Sequence, residues 1–216
     1  MINRIKEIVS TFITNLGEEE KEEKRVVIVD SSHLAISQEP EPEFQLIGLF
    51  AEVVEEKVAE LAHGLIYINE VNKQKEEKPK PVNFYLSTYG GSADDMFALY
   101  DVMRIVREYT PIHTVGLGKV MSAGVLLLAA GTKGERKIAK NCRVMLHSVI
   151  GGNQGNLHNM LNEMEAIEQL QQMFSDCLVR ETKMTKSQLK KMLERKVNVY
   201  LSAEEAVELG IADVII

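Results

Sequence analysis

The sequence predicts an α/β fold in which a largely parallel sheet is built from strand–helix–strand units. The first observation is a set of short apolar runs of strand length, at residues 82–86, 112–117 and 143–146. The second is that segments of helical periodicity lie between and after these runs. Strands and helices that alternate along a chain are joined by right-handed crossovers, which makes neighbouring strands parallel.

The first 25 residues are predicted to form a segment distinct from the main domain, which is expected to span residues 26–216. Apolar residues recur at helical spacing in residues 1–16, and charged residues interrupt any signal-peptide core. The charge run at residues 18–25 is typical of a solvated hinge. A strand at residues 26–29 and a proline-containing loop at residues 31–44 are expected next.

Helical periodicity extends over residues 47–72 and predicts the first helix of the main domain there. Ser92 stands three residues before Asp95 in the manner of a capping box, and predicts the start of a second helix. That helix is expected to reach Tyr109, because Pro111 closes it.

A strand at residues 112–117 is expected to end at Gly116 and Gly118, and an apolar helix is predicted at residues 123–130. A much longer helix is predicted at residues 157–182, followed by two short helices and a last strand at residues 211–216. We expect the long helix to project toward another subunit, because its apolar stripe is long for a domain of this size.

Composition narrows the function classes. The chain has 216 residues, of which 45% are hydrophobic and 26% charged, and these fractions are typical of soluble globular proteins. A formal net charge of −7 argues against nucleic acid as the main partner. No apolar stretch reaches the length of a membrane span, so no membrane partner is expected.

Cysteine usage points to a reducing, cytoplasmic setting. Cys142 and Cys177 are the two cysteines, and they provide neither a disulfide framework nor metal-ligand spacing. Both fall in apolar patterns, as buried thiols do. No metal or nucleotide site is apparent, so we expect no cofactor.

A serine and a histidine stand at positions suited to nucleophilic catalysis. Ser122 lies at a strand-to-helix corner between Gly118 and Gly124, and His147 lies at the end of the strand at residues 143–146. Such corners expose a nucleophile and a base to one cleft at the strand ends. The alternative is that Ser122 only caps the following helix and that His147 is a solvated histidine.

Several ordered motifs resemble the ClpP family, the proteolytic subunits of ATP-dependent Clp proteases. They are Gly118 followed after three residues by Ser122-Ala123-Gly124, the RVM-x-H strand that ends in His147, the GGNQG segment at residues 151–155, and LSAEEAVELGIADVI at residues 201–215. The resemblance covers residues 44–216. It implies a ClpP/crotonase-like spiral of βαβ units with a projecting handle helix, the handle lying at residues 148–183.

The resemblance also implies roles for individual residues. Ser122 would be the nucleophile and His147 the general base, while the N–H groups of Gly91 and Ala123 would form the oxyanion hole. Four further residues would serve the binding of an extended peptide as an added strand: Gly90, Ile150, Gly151 and Gly152.

The function implied by the resemblance is that of a serine endopeptidase acting on unfolded polypeptides inside a closed chamber. Such enzymes are homo-oligomers of two stacked seven-membered rings, joined by their handle regions. An AAA+ unfoldase feeds the chamber and uses the ATP.

The third catalytic position departs from the family pattern. The family carries an aspartate two residues before an aromatic residue; the aromatic here is Tyr200, so the matching position is Asn198. An amide can accept a hydrogen bond from imidazole, but it does not compensate imidazolium charge. Replacing the triad aspartate by asparagine costs a serine protease about ten-thousand-fold in kcat.

Other function classes stay open on the sequence. A catalytically impaired or inactive ring subunit is one, and a viral head-maturation protease is another. A crotonase-type acyl-CoA enzyme would use the paired N–H groups without a Ser-His couple. A signal-peptide-peptidase-like enzyme would use a lysine base in place of His147. Asp176 and Glu194 are alternative carboxylates for the third catalytic position.

Overall fold

A computed structural model of the protein describes residues 45–152, 154–194 and 198–216. Four predicted features lie outside the described residues: the amphipathic segment at 1–16, the hinge at 18–25, the strand at 26–29 and the loop at 31–44. The division between residues 1–25 and 26–216 therefore stays a prediction.

Strands and helices alternate along most of the described residues, as the sequence predicts. The strands are β1 Gln45–Leu49, β2 Val82–Thr88, β3 Ile112–Met121, β4 Lys137–Ile138, β5 Arg143–Leu146, β6 Val199–Leu201 and β7 Val214–Ile215. The helices are α1 Glu55–Lys73, α2 Ala93–Arg107, α3 Ala123–Ala129, α4 Leu157–Glu181, α5 Lys186–Leu193 and α6 Ala203–Glu208.

The sheet is parallel along the path β1-β2-β3-β4-β7, and this confirms the predicted α/β class. β3 is shared by two arms of the sheet, since Val115 and Gly116 pair with β4 whereas Lys119–Met121 pair with β5. β6 pairs antiparallel to β5, so one arm ends in an antiparallel strand. The division of β3 carries its last residues away from β4 and toward β5.

Three predicted boundaries are wrong, two of them because tertiary pairing overrides a local signal. The third is the last strand, which is predicted at residues 211–216 but is confined to Val214–Ile215, since the N–H groups of Ile211 and Ala212 both donate to the Ala206 carbonyl of α6. Residues 45–49 form a strand against β2, and the first helix begins only at Glu55, after Val54, which provides no side-chain cap. β3 continues past Gly116 and Gly118 to Met121. Its register against β2 shifts between Leu86 and Thr88, so these glycines accommodate a bulge and do not end the strand.

The core lies between the sheet and the helices that cover it. β2 buries Val82, Phe84 and Leu86 completely, and every residue of α3 is buried. A helix that is apolar on all sides belongs inside a domain. Since α3 follows Ser122 directly, the most buried helix holds the corner where that serine stands.

Helix α4 buries only its carboxyl-terminal half. Phe174, Leu178 and Glu181 are buried, but four apolar residues of the first turns are exposed by 41–67%: Leu157, Met160, Leu161 and Met164. These four residues are called the handle stripe below. None of the helices in the described ranges has the length and apolar character needed to cross a membrane.

A buried carboxylate ties the end of α4 to the rest of the domain. Glu181 accepts hydrogen bonds from the Tyr100 hydroxyl at 3.0 Å and from Arg107 at 3.0 and 3.1 Å, and its carboxylate pairs with Lys133 at 3.0 Å. Arg136 donates to the Glu181 backbone carbonyl at 2.8 Å. The cluster therefore joins three parts of the domain, namely helix α2, helix α4 and the segment that follows α3.

The charges around Glu181 determine its protonation. Burial by itself raises the pKa of this carboxyl, but the hydrogen bonds and charges of Arg107 and Lys133 outweigh burial and lower the pKa to about 2. A carboxyl whose folded-state pKa is depressed stabilises the protein above its unfolded-state pKa. That stabilisation is lost as the pH falls from about 4.5 toward about 2.

We expect Glu181→Gln to lower the free energy of unfolding by about 3 kcal/mol at pH 7, because the buried carboxylate is the counter-charge of the partly exposed Arg107 and Lys133. The difference from wild type should shrink as the pH falls below about 4.5, where the wild-type carboxylate is progressively protonated. Urea unfolding at several pH values measures both effects.

Glu60→Gln is the matched control for this substitution. Glu60 pairs with Lys57 at 2.7 Å, but its side chain is 65% exposed, so its loss should change stability by less than about 0.5 kcal/mol. Equal losses for the two variants would contradict the role assigned to the Glu181 cluster.

Candidate active site

Ser122 occupies a strained corner between β3 and α3. Its φ is 53° and its ψ −121°, and among the described residues it is the only non-glycine residue with positive φ. Such a conformation costs roughly 1–3 kcal/mol and persists only when the surroundings impose it. Here the Ser122 N–H donates to the Met145 carbonyl at 2.8 Å, and the Ser122 carbonyl accepts from Val125 N–H at 3.0 Å.

The hydroxyl of Ser122 is not used as a helix cap. Its side chain makes no capping hydrogen bond to α3, in contrast to Ser92, whose oxygen accepts from Asp95 N–H at 3.2 Å. The interpretation of Ser122 as a simple N-cap is therefore wrong. The conformation of Ser122 is that of a nucleophile elbow, in which a sharp strand-to-helix turn exposes the hydroxyl.

Two glycines make room for this corner. A Cβ on Gly90 would lie 2.6 Å from the Ser122 Cβ, and a Cβ on Gly124 would lie 2.5 Å from the Thr88 Cγ2. Both distances are far below van der Waals contact, so glycine is required where α3 and the turn after β2 meet.

The Gly90-Gly91 turn is fixed by the segment before α1. Val53 N–H donates to the Gly90 carbonyl at 2.8 Å, and Ser92 N–H donates to the Val53 carbonyl at 2.9 Å. Both glycines have positive φ, and a Cβ on Gly91 would collide with the Val53 carbonyl oxygen. Within the described part of the chain, neither the Gly91 nor the Ala123 N–H has a hydrogen-bond acceptor, so both remain available as donors.

His147 follows β5 and is half-buried. Its Nδ1 lies 2.6 Å from the Ser148 carbonyl oxygen. A carbonyl oxygen only accepts, so this contact requires hydrogen on Nδ1 and leaves the Nε2 of a neutral imidazole as a proton acceptor.

One cavity of about 370 Å³ brings most of the predicted site residues together. Ser122, Ala123, Gly91, His147 and Ile150 all line it. Gly90 abuts Ser122, whereas Gly151 and Gly152 do not line the cavity, and a Cβ on Gly151 would collide with Ile167 of α4.

Asn198 does not line this cavity and is exposed. It immediately precedes β6, whose antiparallel register pairs Leu146 with Val199, so the next pair in that register is His147 with Asn198. Residues directly opposite in an antiparallel pair have neighbouring side chains on one face of the sheet. Among the described residues, however, the hydrogen bond of His147 Nδ1 is to Ser148 and not to Asn198.

The two alternative carboxylates are engaged elsewhere. Asp176 forms an ion pair with Lys186 at 2.7 Å, and Glu194 forms one with Lys190 at 3.5 Å. Both carboxylates line a second cavity of about 580 Å³, between α4 and α5. Neither lines the cavity of Ser122.

The walls of the Ser122 cavity include residues that sequence reasoning missed. Met96 of α2 and Phe174 of α4 are only 2% and 4% exposed, and both line the cavity. Their apolar character is equally typical of ordinary core residues, so no sequence signal separates them. Ser148 was also missed, because its contribution to His147 is made by a backbone carbonyl.

The chemistry of the cavity is set by neutral groups. Among the described residues, no Lys, Arg, Asp or Glu lines it. The Nζ of Lys119 lies over the ring of Tyr89, a lining residue, at 4.6 Å from the ring centroid. A hydroxyl on a strained corner, an imidazole and two unengaged N–H donors face one space. This arrangement suits acyl transfer, in which negative charge develops on a carbonyl oxygen.

Comparison with known proteins agrees with this geometry. The family model described as Clp protease matches residues 44–216. The chain is also 36% identical over 135 residues to the ATP-dependent Clp protease proteolytic subunit 2 of Corynebacterium jeikeium (strain K411). That alignment covers 62% of this chain and 63% of the relative, so it spans less than two thirds of the relative's length.

The family match extends over most of the chain and includes the whole described structure. It contains the Ser122 corner, the Gly90-Gly91 turn and the strand that ends in His147. The predicted resemblance is thereby confirmed, and the chain belongs to the Clp protease family.

Proposed function

We propose that the protein is a serine endopeptidase that hydrolyses unfolded polypeptides, with Ser122 as nucleophile and His147 as general base. The observation that carries the proposal is the positive φ of Ser122 in the cavity that also contains His147. Strain of this kind is retained at functional corners and has no stabilising role of its own.

In the proposed reaction, the Ser122 Oγ attacks the scissile carbonyl carbon while His147 Nε2 takes the hydroxyl proton. The imidazolium then donates that proton to the leaving amine, and an acyl-enzyme remains on Ser122. Water repeats the sequence with His147 again as base and releases the carboxylic acid. The Ser148 carbonyl supports both steps, since it holds hydrogen on Nδ1 and leaves Nε2 free to exchange protons.

The N–H groups of Gly91 and Ala123 form the oxyanion hole in this proposal. Ala123 follows the nucleophile directly, and its N–H is at the beginning of α3. Only backbone is required there, so the alanine side chain has no bearing on the role. Losing one such donor typically costs about a hundred- to a thousand-fold in kcat.

Substrate is proposed to bind as an added β-strand along residues 150–152. Ile150 is 83% exposed, and a Cβ on Gly152 would meet no atom within 4 Å, so this segment is open to an approaching backbone. Strand addition uses main-chain hydrogen bonds and reads little side-chain sequence. An extended, unfolded polypeptide is the substrate class that meets this requirement.

The same proposal includes a ring assembly of identical subunits. Residues 148–183 form the handle, and the handle stripe is the surface by which two seven-membered rings of identical subunits stack. An exposed apolar patch on a helix marks an interaction surface. An AAA+ unfoldase is the proposed partner and the site of ATP use, and the cytoplasm the proposed location. The relative's name, an ATP-dependent proteolytic subunit, supports this partner.

Asn198 is proposed as the third catalytic residue, in keeping with its place opposite His147 in the β5–β6 register. It supplies no charge to balance the imidazolium. The Ser148 carbonyl already fixes the tautomer of His147, so Asn198 is not needed to orient the ring. As a neutral amide it supports the imidazolium only weakly, and this keeps kcat moderate.

We expect Ser122→Ala to reduce hydrolysis of a fluorogenic peptide by roughly ten-thousand-fold or more, because the nucleophile is removed. Labelling by a fluorophosphonate probe should disappear as well. Ser92→Ala is the matched control: Ser92 lines the same cavity but caps α2, so this variant should lose about 1 kcal/mol of stability and retain activity. Peptide hydrolysis by Ser122→Ala at the wild-type rate would refute the assignment.

Asn198→Asp should raise kcat roughly tenfold, because a carboxylate opposite His147 stabilises the imidazolium of the transition state. KM should change little, since the interaction strengthens only in the transition state. Asn198→Ala should lower kcat modestly. Identical rates for wild type and both variants would remove Asn198 from the site.

Met164→Glu should halve the mass of the assembly, because it places a charge on the handle stripe where Met164 is 60% exposed. Gln169→Glu adds the same charge at another exposed position of α4 and should leave the mass unchanged. Sedimentation or native mass measurement separates the two outcomes. An unchanged mass for folded Met164→Glu would exclude the stripe as a ring contact.

A further inference from the structure

We propose that Gln171 is a positioning residue for His147 and acts through the peptide group that joins Ser148 to Val149. The inference rests on the proposed function, since it assigns His147 the role of base. Gln171 lies on α4 and does not line the Ser122 cavity, so it acts only through an intermediate group.

The contacts form a continuous chain. His147 Nδ1 donates to the Ser148 carbonyl at 2.6 Å, and the Val149 N–H of the same peptide group donates to Gln171 Oε1 at 2.7 Å. One peptide group thus receives the imidazole at its oxygen and contacts Gln171 at its nitrogen. Two short hydrogen bonds fix its plane from both ends.

The orientation of the Gln171 amide is determined by its neighbours. Val149 N–H only donates, so Gln171 must present its oxygen to it. Its Nε2 then donates to Ser175 Oγ at 3.2 Å, and Ser175 Oγ donates to the Gln171 carbonyl at 2.8 Å. Every donor in the chain faces an acceptor, so no reversed arrangement satisfies all the groups.

Hydrogen bonds in series polarise one another. When Val149 N–H donates to Gln171, electron density moves toward the Ser148 carbonyl oxygen, which becomes a better acceptor for His147. The contact strengthens most when His147 is an imidazolium, because the donor then carries charge. Gln171 is therefore expected to favour the protonated base that forms during catalysis.

The surroundings of Gln171 are charged, in contrast to the Ser122 cavity. Gln171 lines the cavity between α4 and α5, together with Glu168 and the ion pairs Asp176–Lys186 and Lys190–Glu194. Ser148 lines both cavities, so its peptide group with Val149 lies at the wall they share. Gln171 thus polarises the peptide group that holds His147 from the α4–α5 cavity, and not from the Ser122 cavity in which substrate is proposed to react.

Gln171→Met tests the inference, because methionine has nearly the same length but its thioether sulfur is only a weak acceptor for Val149 N–H. We expect kcat to fall roughly tenfold with KM unchanged, the magnitude of one lost part-buried hydrogen bond. The acid limb of the kcat/KM pH profile should move to lower pH, since the imidazolium loses support. Gln171→Glu retains an acceptor and adds charge, so its acid limb should move to higher pH.

Gln172→Met is the matched control. Gln172 is the next residue on the same helix and is exposed, and within the described ranges its side chain donates to Asp176 at 2.9 Å and has no contact with the peptide group of Ser148 and Val149. It should match wild type in kcat, KM and pH profile. Loss of activity in both glutamine variants would assign the effect to α4 as a whole and overturn the positioning role.

A second measurement does not depend on turnover. NMR of the His147 Nδ1 proton in a Ser122→Ala background reports the strength of its bond to the Ser148 carbonyl, and this resonance should move upfield with Gln171→Met and downfield with Gln171→Glu. Coincident resonances for the three proteins would refute the inference. Failure of the proposed function is distinct from this result, because the wild-type protein would then neither hydrolyse peptide nor react with a fluorophosphonate.

Discussion

The backbone conformation of Ser122 is the constraint on which the site depends. A positive φ is imposed on a non-glycine residue by the Met145 carbonyl on one side, the start of α3 on another and Gly90 against its Cβ. β5 provides that carbonyl and also delivers His147. The Gly90-Gly91 turn is in turn held by Val53. The proposed nucleophile, base and oxyanion donors are therefore placed by one set of backbone contacts, and the buried α3 helix anchors them.

Ion pairs between side chains hold elements of the domain together, whereas the Ser122 cavity contains no ion pair among its described lining residues. Two sets of ion pairs link helices and strands of the domain: Glu181 with Arg107 and Lys133, and Asp213 with Arg136. Burial raises the pKa of Asp213, but hydrogen bonds from Arg136 outweigh it and lower the pKa. The Ser122 cavity has no such fixed charge among its described walls, so charge that develops in the proposed reaction would be stabilised by dipoles already in place.

The fold class and the corner positions of Ser122 and His147 could be predicted from the sequence, because glycines and strand ends mark corners directly, and the resemblance to the Clp protease family added Gly91 and Ala123. The strand at residues 45–49 and the continuation of β3 could not, since both depend on pairing with distant strands. Ser148 and Gln171 escaped prediction for a different reason. One acts through its main chain and the other is a glutamine in an ordinary amphipathic pattern, so only the folded geometry relates them to His147.

The dependence of the site on β3 has a consequence for the order of folding. β3 pairs with β2 on one side and with β4 and β5 on the other, so Ser122 acquires its geometry only after segments far apart in the chain have met. Parallel pairing of distant segments is intrinsically slow to form. A chain that has not completed these pairings therefore lacks the proposed catalytic geometry, which arises only with the finished topology.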